Sequence, residues 1–227
     1  YPYGSKTIAS SADRIPDYID KIKEYNVSIT SSIQELLGKV DVVLLETNDG
    51  RLHLEQAMEV FKSGKRVFID KPVAASLEDA IAIFDAAKKY NVPVFSASSL
   101  RYIKGIEKLK GKIIVGADTY SPASLEPTHP DLYWYGIHGV ETLFTALGPG
   151  CVSVTRIHTP FTDIVTGIWE DGKVGTFRGT RSGDSGFGGT VFTDKGAIVL
   201  GPYGGYEPLL KEITTFFETG VVPVRPE

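Results

Sequence analysis

Asp41–Pro72, DVVLLETNDGRLHLEQAMEVFKSGKRVFIDKP, reads as strand, turn, helix and second strand, and it closes on a lysine locked beside a proline. Val42-Val43-Leu44-Leu45 is an unbroken apolar run, as expected of a strand covered on both faces, and Val67-Phe68-Ile69 repeats the pattern. Between them, Thr47-Asn48-Asp49-Gly50 supplies turn residues. Two parallel strands joined by a right-handed helical crossover end on the same edge of their sheet, and α/β proteins bind ligands at that edge. Lys71 lies just beyond such an end, and Pro72 fixes the backbone φ next to it, which limits where the ammonium can go. On position alone, a solvated charge and a site residue both remain open for Lys71.

Working outward, the same alternation continues. Pro16 to Tyr25 has helical spacing, Val27-Ser28-Ile29 is a short strand, and Ser32 caps a helix over Ile33 to Leu37. Ser76 is an N-cap with Asp79 three residues on, followed by the stripe Leu77, Ala80, Ile81, Phe84 and Ala87. Val92 to Phe95 is the next strand. From about Gly111 the pattern changes to turn-punctuated strands: Ile113 to Tyr120, Val152 to His158, Thr162 to Trp169, Val174 to Arg181, Gly188 to Thr193 and Ala197 to Leu200. Helices over Tyr135 to Leu147 and Glu207 to Glu218 accompany them. The fold class is therefore α/β. A truncated Rossmann-like parallel sheet over residues 1–100 precedes an α+β domain with an open antiparallel sheet over residues 101–227. The glycine-rich Gly179 to Gly189 lies between two strands and does not open a helix, so it reads as a hairpin loop and not as a phosphate cradle.

With 227 residues and 42% apolar side chains, the chain can bury a real core. A formal net charge of -4, with both signs scattered, gives no basic stripe for nucleic acid and no polybasic membrane anchor. No apolar run approaches the roughly 20 residues that span a bilayer. The lone Cys151 excludes an internal disulfide and any cysteine cluster, and it fits a reducing, cytoplasmic setting. The four histidines form no H-x-x-x-H or H-E-x-x-H pair, so no metal is expected. The opening Tyr1-Pro2-Tyr3-Gly4 reads as a strand exit, and no G-x-G-x-x-G turn occurs, so the chain reads as a fragment whose parent carries the pyrophosphate-binding turn, and any signal peptide, outside this sequence.

Thr47-Asn48, His53, Gly64-Lys65, Val67 and Asp70-Lys71-Pro72 resemble, in order, the T-P-N-x-x-H, A-G-K-x-V and E-K-P elements of the glucose-fructose oxidoreductase, inositol dehydrogenase and rhizopine-catabolism (Gfo/Idh/MocA) family. The proline after threonine is absent, and Asp70 stands where the family has glutamate. Gly136, His138 and Glu141 are similar to the family's D-x-G-x-H-x-x-D segment, with Trp134 in the place of its first aspartate.

The resemblance implies an NAD- or NADP-dependent oxidoreductase acting on a secondary alcohol of a sugar, inositol or related polyol. It implies that Lys71 and His138 are catalytic and manage the hydroxyl proton. It implies cofactor contact for Thr47, Asn48, His53, Asp70 and Lys71, and a homo-oligomer paired through the second-domain sheet. On a helix, Ile137, Val140, Phe144 and Leu147 share the natural core stripe, while Trp134, His138, Glu141 and Thr145 share another face. Trp134, Glu141, Arg101 and Tyr120 are the candidate substrate-binding residues. For Arg101 an anionic substrate and an interdomain ion pair are equal readings. His129, in the loop Ser121 to Pro130, is either a binding or a connecting residue. Ser5 and Lys6 either meet a 2′-phosphate or are solvated. Two other functions remain: a glycosidase of the same family that retains NAD, and a non-catalytic sugar or dinucleotide sensor, which Trp134 favours.

Overall fold

A computed structural model describes residues 1–2 and 5–226, so Tyr3 and Gly4 of the opening segment lie outside the described residues. The chain divides into two compact units, residues 1–97 with 212–226, and residues 98–211. Residues 212–226, which the sequence pattern puts in the second domain, thus cluster with the first. Aromatic packing is the reason. Phe216 is fully buried with its ring 4.9 Å from that of Phe95, which in turn meets Phe68 at 5.0 Å. Arg66 Nη1 adds a hydrogen bond to the Phe217 carbonyl.

The first unit runs α1 (Ala9–Ala12), α2 (Ile15–Lys23), α3 (Ile33–Leu37), β1 (Val42–Leu45), α4 (His53–Lys62), β2 (Arg66–Ile69), α5 (Leu77–Tyr90) and β3 (Val94–Ser96). The strands form a parallel sheet in the order β1-β2-β3, with Leu45 opposite Ile69 and Ile69 opposite Ser96. All three strands therefore end on one edge. Both expected caps are formed: Ser32 Oγ accepts the Glu35 N–H at 3.0 Å, and Ser76 Oγ accepts that of Asp79 at 3.1 Å. The expected strand at Val27-Ser28-Ile29 is not formed. Those residues are irregular, with Val27 and Ile29 exposed, because none of the described strands pairs with them. The core of the unit joins Val43, Leu45, Val67 and Ile69 to Ala57, Val60 and Phe61 of α4 and to Ile83 and Ala87 of α5.

In the second unit, a 3-10 turn over Ser99–Tyr102 leads to β4 (Ile114–Pro122), then α6 (Ile137–Leu147), β5 (Cys151–His158), β6 (Thr162–Trp169), β7 (Val174–Thr180), β8 (Gly188–Thr193) and β9 (Gly196–Leu200); α7 (Glu207–Thr219) begins in this unit, and from Glu212 on it clusters with the first. The sheet order is β5-β6-β7-β4-β8-β9. One correction applies: β4 and β7 pair in parallel, so the sheet is mixed and not purely antiparallel. After β4 the chain passes through α6, β5 and β6 before returning, a connection long enough to bring β7 back in the same direction.

The helix α6 covers one face of this sheet, and its buried residues are His138, Gly139, Thr142, Leu143, Ala146 and Leu147. This differs from the stripe of Ile137, Val140, Phe144 and Leu147 expected from hydrophobicity. Small residues let the helix approach. A Cβ on Gly139 would come within 2.4 Å of Phe177 Cε2 and 2.9 Å of Ser121 Oγ, so only glycine permits this contact. The displaced Ile137, Val140 and Phe144 line an apolar groove of about 250 Å³ with Val154, Val165 and Trp169.

Candidate functional site

The sequence-derived candidates fall into a cluster in each unit. In the first unit the cluster sits at the carboxyl edge of the parallel sheet. The backbone N–H of Asp70 donates to the Leu45 carbonyl at 2.9 Å, which continues the β1–β2 ladder and sets Asp70 and Lys71 beside Glu46. Lys71 Nζ lies 3.9 Å from Asp70 Oδ2, and the Lys71–Pro72 peptide is cis. Burial raises the Asp70 carboxyl above its ordinary range, with the Lys71 charge pulling the other way. Glu46, which the motif comparison passed over, is the more perturbed acid. Part of its side chain reaches solvent, yet loss of water around the carboxyl, and then the Asp70 charge, push it up to about 7. A lysine, a carboxyl that titrates near neutrality and a second raised carboxyl therefore share one strand edge.

The turn after β1 is held from several sides. His53 is fully buried; its Nδ1 faces the Val73 carbonyl at 3.2 Å and its Nε2 faces the Thr47 carbonyl. The histidine thus ties the loop at 47 to the loop at 73. Thr47 Oγ1 donates to Gln56 Oε1 at 2.8 Å. Asp49, 1% exposed, accepts from Ser5 Oγ at 2.6 Å and pairs with Arg51 at 2.7 Å. Burial would raise its carboxyl, but the bonds from Arg51 and Ser5 outweigh this and hold it at about 2. The Ser5 hydroxyl is therefore engaged with Asp49. Gly50 lets this loop approach the next one, since a Cβ there would lie 2.9 Å from the Ala74 carbonyl carbon.

Asn48 carries the test of whether a dinucleotide fits. Its Oδ1 is buried and has no hydrogen-bond partner, which leaves an acceptor at the end of β1 facing any hydroxyl or amide donor placed there. Asn48 and Lys71 carry an acceptor and a donor of the kind that ribose hydroxyls bond, while the sequence contains no G-x-G-x-x-G motif for a pyrophosphate.

In the second unit the cluster surrounds His138 in the first turn of α6. Ser98 Oγ lies 2.6 Å from His138 Nδ1, and the Ser98 N–H donates to Glu141 Oε2 at 2.9 Å. Arg101 Nε pairs with the same Glu141 oxygen, and its Nη1 donates to Thr145 Oγ1 at 3.2 Å. Arg101 is thus an ion-pair residue within its own unit, and neither of the readings open for it, anionic-substrate binding or an interdomain pair, describes its bonds. Thr142 Oγ1 reaches both the Leu100 carbonyl, at 3.2 Å, and the His138 carbonyl, at 3.0 Å, and fastens the helix to the 3-10 turn. Aromatic rings complete the surroundings. Tyr135 stands 5.0 Å from the His138 ring and Phe187 5.8 Å, and Phe187 continues to Tyr203 at 5.8 Å.

Tyr120 and Trp134 are the other candidate substrate contacts. Tyr120 is paired with Arg178 and Gly188 on the face of the sheet opposite α6, because strand alternation puts its neighbours Thr119 and Ser121 inward. Trp134 stacks on the buried His129 at 4.9 Å, which gives the loop residue a packing role. His158 binds Asp163 Oδ1 at 2.7 Å. Ser98 follows a strand end and, with Arg101 and Tyr102, resembles the family segment that leads into the second domain, but its contact with His138 was not foreseen; Tyr135, Phe187 and Tyr203 are the surrounding residues that sequence reasoning missed. Among the described residues no group of three or more His, Cys, Asp and Glu is placed to hold a metal, and no helix is long and apolar enough to cross a membrane.

Comparison with known proteins agrees with the motif reading. Residues 7–98 match an oxidoreductase family with an NAD-binding Rossmann fold. An uncharacterized oxidoreductase of Streptococcus pneumoniae is 32% identical over 104 residues, covering 44% of this chain and 28% of that protein. The 1,5-anhydro-D-fructose reductase of Ensifer adhaerens is 33% identical over 88 residues, covering 38% of this chain and 26% of the reductase. The matches thus span little more than a quarter of the length of these two relatives. Among solved structures, UDP-N-acetylglucosamine 3-dehydrogenase from Acidithiobacillus ferrooxidans superposes with a TM-score of 0.73 at 16% identity, covering 91% of this chain and 77% of that one, a likeness of fold. Residues 7–98 are thus similar to the Gfo/Idh/MocA oxidoreductases with an NAD-binding Rossmann fold, in the segment that carries the motifs.

Proposed function

We propose that the protein transfers hydride between a nicotinamide dinucleotide and a secondary alcohol of a sugar, inositol or related polyol. The observation that carries this reading is Lys71 at the carboxyl edge of the parallel sheet, inside the segment that matches an NAD-binding family, together with the unpartnered Oδ1 of Asn48 just beyond β1. Bound NAD or NADP would supply the hydride acceptor or donor. Lys71 would bind the substrate oxygen and stabilise negative charge on it, and Asp70 and Glu46 would keep that ammonium oriented. His138 would accept the hydroxyl proton during oxidation and return it during reduction. The rings of Tyr135 and Phe187 would exclude water and offer apolar faces to the C–H side of a sugar. The lone Cys151 fits a cytoplasmic setting. A homo-oligomer paired through the open face of the second sheet is part of the proposal, supported by exposed Ile157, Ile168, Val174, Phe192 and Val199 on that face.

The test is titration of the intact protein with NAD, NADP and their reduced forms, followed by a sugar and polyol panel read by nicotinamide absorbance. Turnover of one sugar class, lost in Lys71→Ala, is the expected result. Binding without turnover would move the assignment to the retained-cofactor glycosidase or the sensor. Absence of dinucleotide binding would end the oxidoreductase reading.

A further inference from the structure

The Ser98 hydroxyl touches two groups with different chemistry. It accepts the Leu100 N–H at 3.1 Å, which caps the 3-10 turn at Ser99–Tyr102, and it lies 2.6 Å from Nδ1 of His138. Ser98 is 1% exposed and His138 8%, so bulk water does not compete freely for this contact. The Glu141 carboxylate and its Arg101 partner hold the Ser98 backbone through its N–H, which fixes where the hydroxyl can point.

A hydroxyl has one proton and two acceptor sites. Leu100 occupies one acceptor site, and a capping role needs nothing more. The remaining acceptor site and the proton are both within reach of Nδ1, so the same oxygen can accept from a protonated Nδ1 or donate to an unprotonated one. A carboxylate in this place could only accept, and it would fix the proton on Nδ1 and favour the imidazolium.

We propose that Ser98 is a positioning residue that orients the His138 ring and accepts its Nδ1 proton, which leaves Nε2 to take the hydroxyl proton in oxidation and return it in reduction. The inference rests on the oxidoreductase reading given above. In oxidation the alcohol O–H would break and its proton would go to His138 Nε2 while the C–H electron pair left as hydride and the carbon became a carbonyl, a bound oxidised nicotinamide supplying the hydride acceptor. The neutral ring would start with its proton on Nδ1, donated to Ser98 Oγ, and become an imidazolium. Reduction would reverse each transfer: Nε2 of the imidazolium would give its proton to the new alkoxide, and the neutral ring would again keep its Nδ1 proton on Ser98 Oγ.

The experiment is 15N NMR of the imidazole groups in the intact protein through a pH titration, for the wild type and for Ser98→Ala, Ser98→Thr and Ser98→Asp. Steady-state kinetics on the best substrate accompany it. Ser98→Thr should keep the tautomer ratio of His138 and its turnover, which also guards against loss of folding as a trivial cause. Ser98→Ala should shift the tautomer ratio and lower kcat roughly 10- to 100-fold with KM little changed. Ser98→Asp should place the proton on Nδ1 and move the His138 titration, and the acid limb of the pH profile, upward. Unmoved imidazole shifts in both Ser98→Ala and Ser98→Asp would overturn the proposal, since a purely capping serine predicts that result. The NMR arm needs no substrate, so a protein inactive on every sugar would remove the oxidoreductase reading while the tautomer result still decides the role of Ser98.

Discussion

The strand edge around Lys71 and the pocket around His138 are built in opposite ways. Lys71 is positioned by its own neighbours: β2 runs straight into it, Asp70 precedes it and Pro72 follows. His138 is positioned from a distance, by Ser98 forty residues before it in sequence and by Phe187 well after it, with Tyr135 as the one local ring. The first arrangement survives as a short motif, whereas the second exists only once the mixed sheet and α6 are assembled. A change near Lys71 should therefore alter chemistry with little effect on stability, while a change around His138 should alter both.

The largest expected effect follows directly. Lys71→Ala should lower turnover by roughly 10²- to 10⁴-fold, with little change in the denaturant midpoint, because its ion pair with Asp70 is long, at 3.9 Å, and partly exposed. A large stability loss would break the contrast. Next comes Asp163, fully buried on β6, which pairs with Arg156 at 2.7 Å, with Arg181, and with His158 at 2.7 Å. Removing it in Asp163→Ala leaves two guanidinium groups without their shared partner and should cost about 3–5 kcal/mol in denaturant unfolding.

The same carboxylate sets a pH dependence. Burial raises it, but the bonds from Arg156, Arg181 and His158 prevail and hold it at about 2 against an ordinary 3.8. Its folded value lies below its unfolded one, so the stabilisation is present above about pH 4 and is lost as pH falls toward 2. The gap between wild type and Asp163→Asn should accordingly be wide at pH 6 and narrow on acidification.

Gly139→Ala should cost about 1–3 kcal/mol, because the new methyl group would meet the Phe177 ring and α6 would have to withdraw. It should also lower activity through His138. A stable Gly139→Ala variant with wild-type kinetics would show that the helix position is not what holds the histidine.

The smallest effect concerns Glu46, whose folded value of about 7 stands above its ordinary 4.5. The unfolded chain ionises first, so stability declines as pH rises from about 4.5 to 7. Glu46→Gln should melt like the wild type near pH 4.5 and slightly higher at pH 8; equal melting at both would mean that the carboxyl is not perturbed.

These contrasts explain what was legible in the sequence. The runs at Val42 to Leu45 and Val67 to Ile69, and the caps at Ser32 and Ser76, depend on residues within a few positions of one another, and all were readable. The parallel pairing of β4 with β7 was not, because nothing local in a strand states its partner's direction. The buried face of α6 was misread because Gly139, Thr142 and Ala146 bury better than their hydrophobicity suggests: their small size, not their apolarity, lets the helix touch the sheet. The partners of Arg101 and the facing of Tyr120 were not legible for a related reason, since the ion pair to Glu141 and the outward face of β4 are settled by tertiary packing. Glu46 was missed because its environment comes from the neighbouring strand end and not from its own motif.

The most direct test of the central claim follows the hydride itself. The intact protein is incubated with oxidised dinucleotide and with a sugar or polyol carrying deuterium on the carbinol carbon, and C4 of the recovered nicotinamide is read by NMR. Transfer of deuterium to C4, abolished in Lys71→Ala, is the result expected of an oxidoreductase that uses this strand edge. A nicotinamide that stays unlabelled while the substrate is consumed or bound would contradict it.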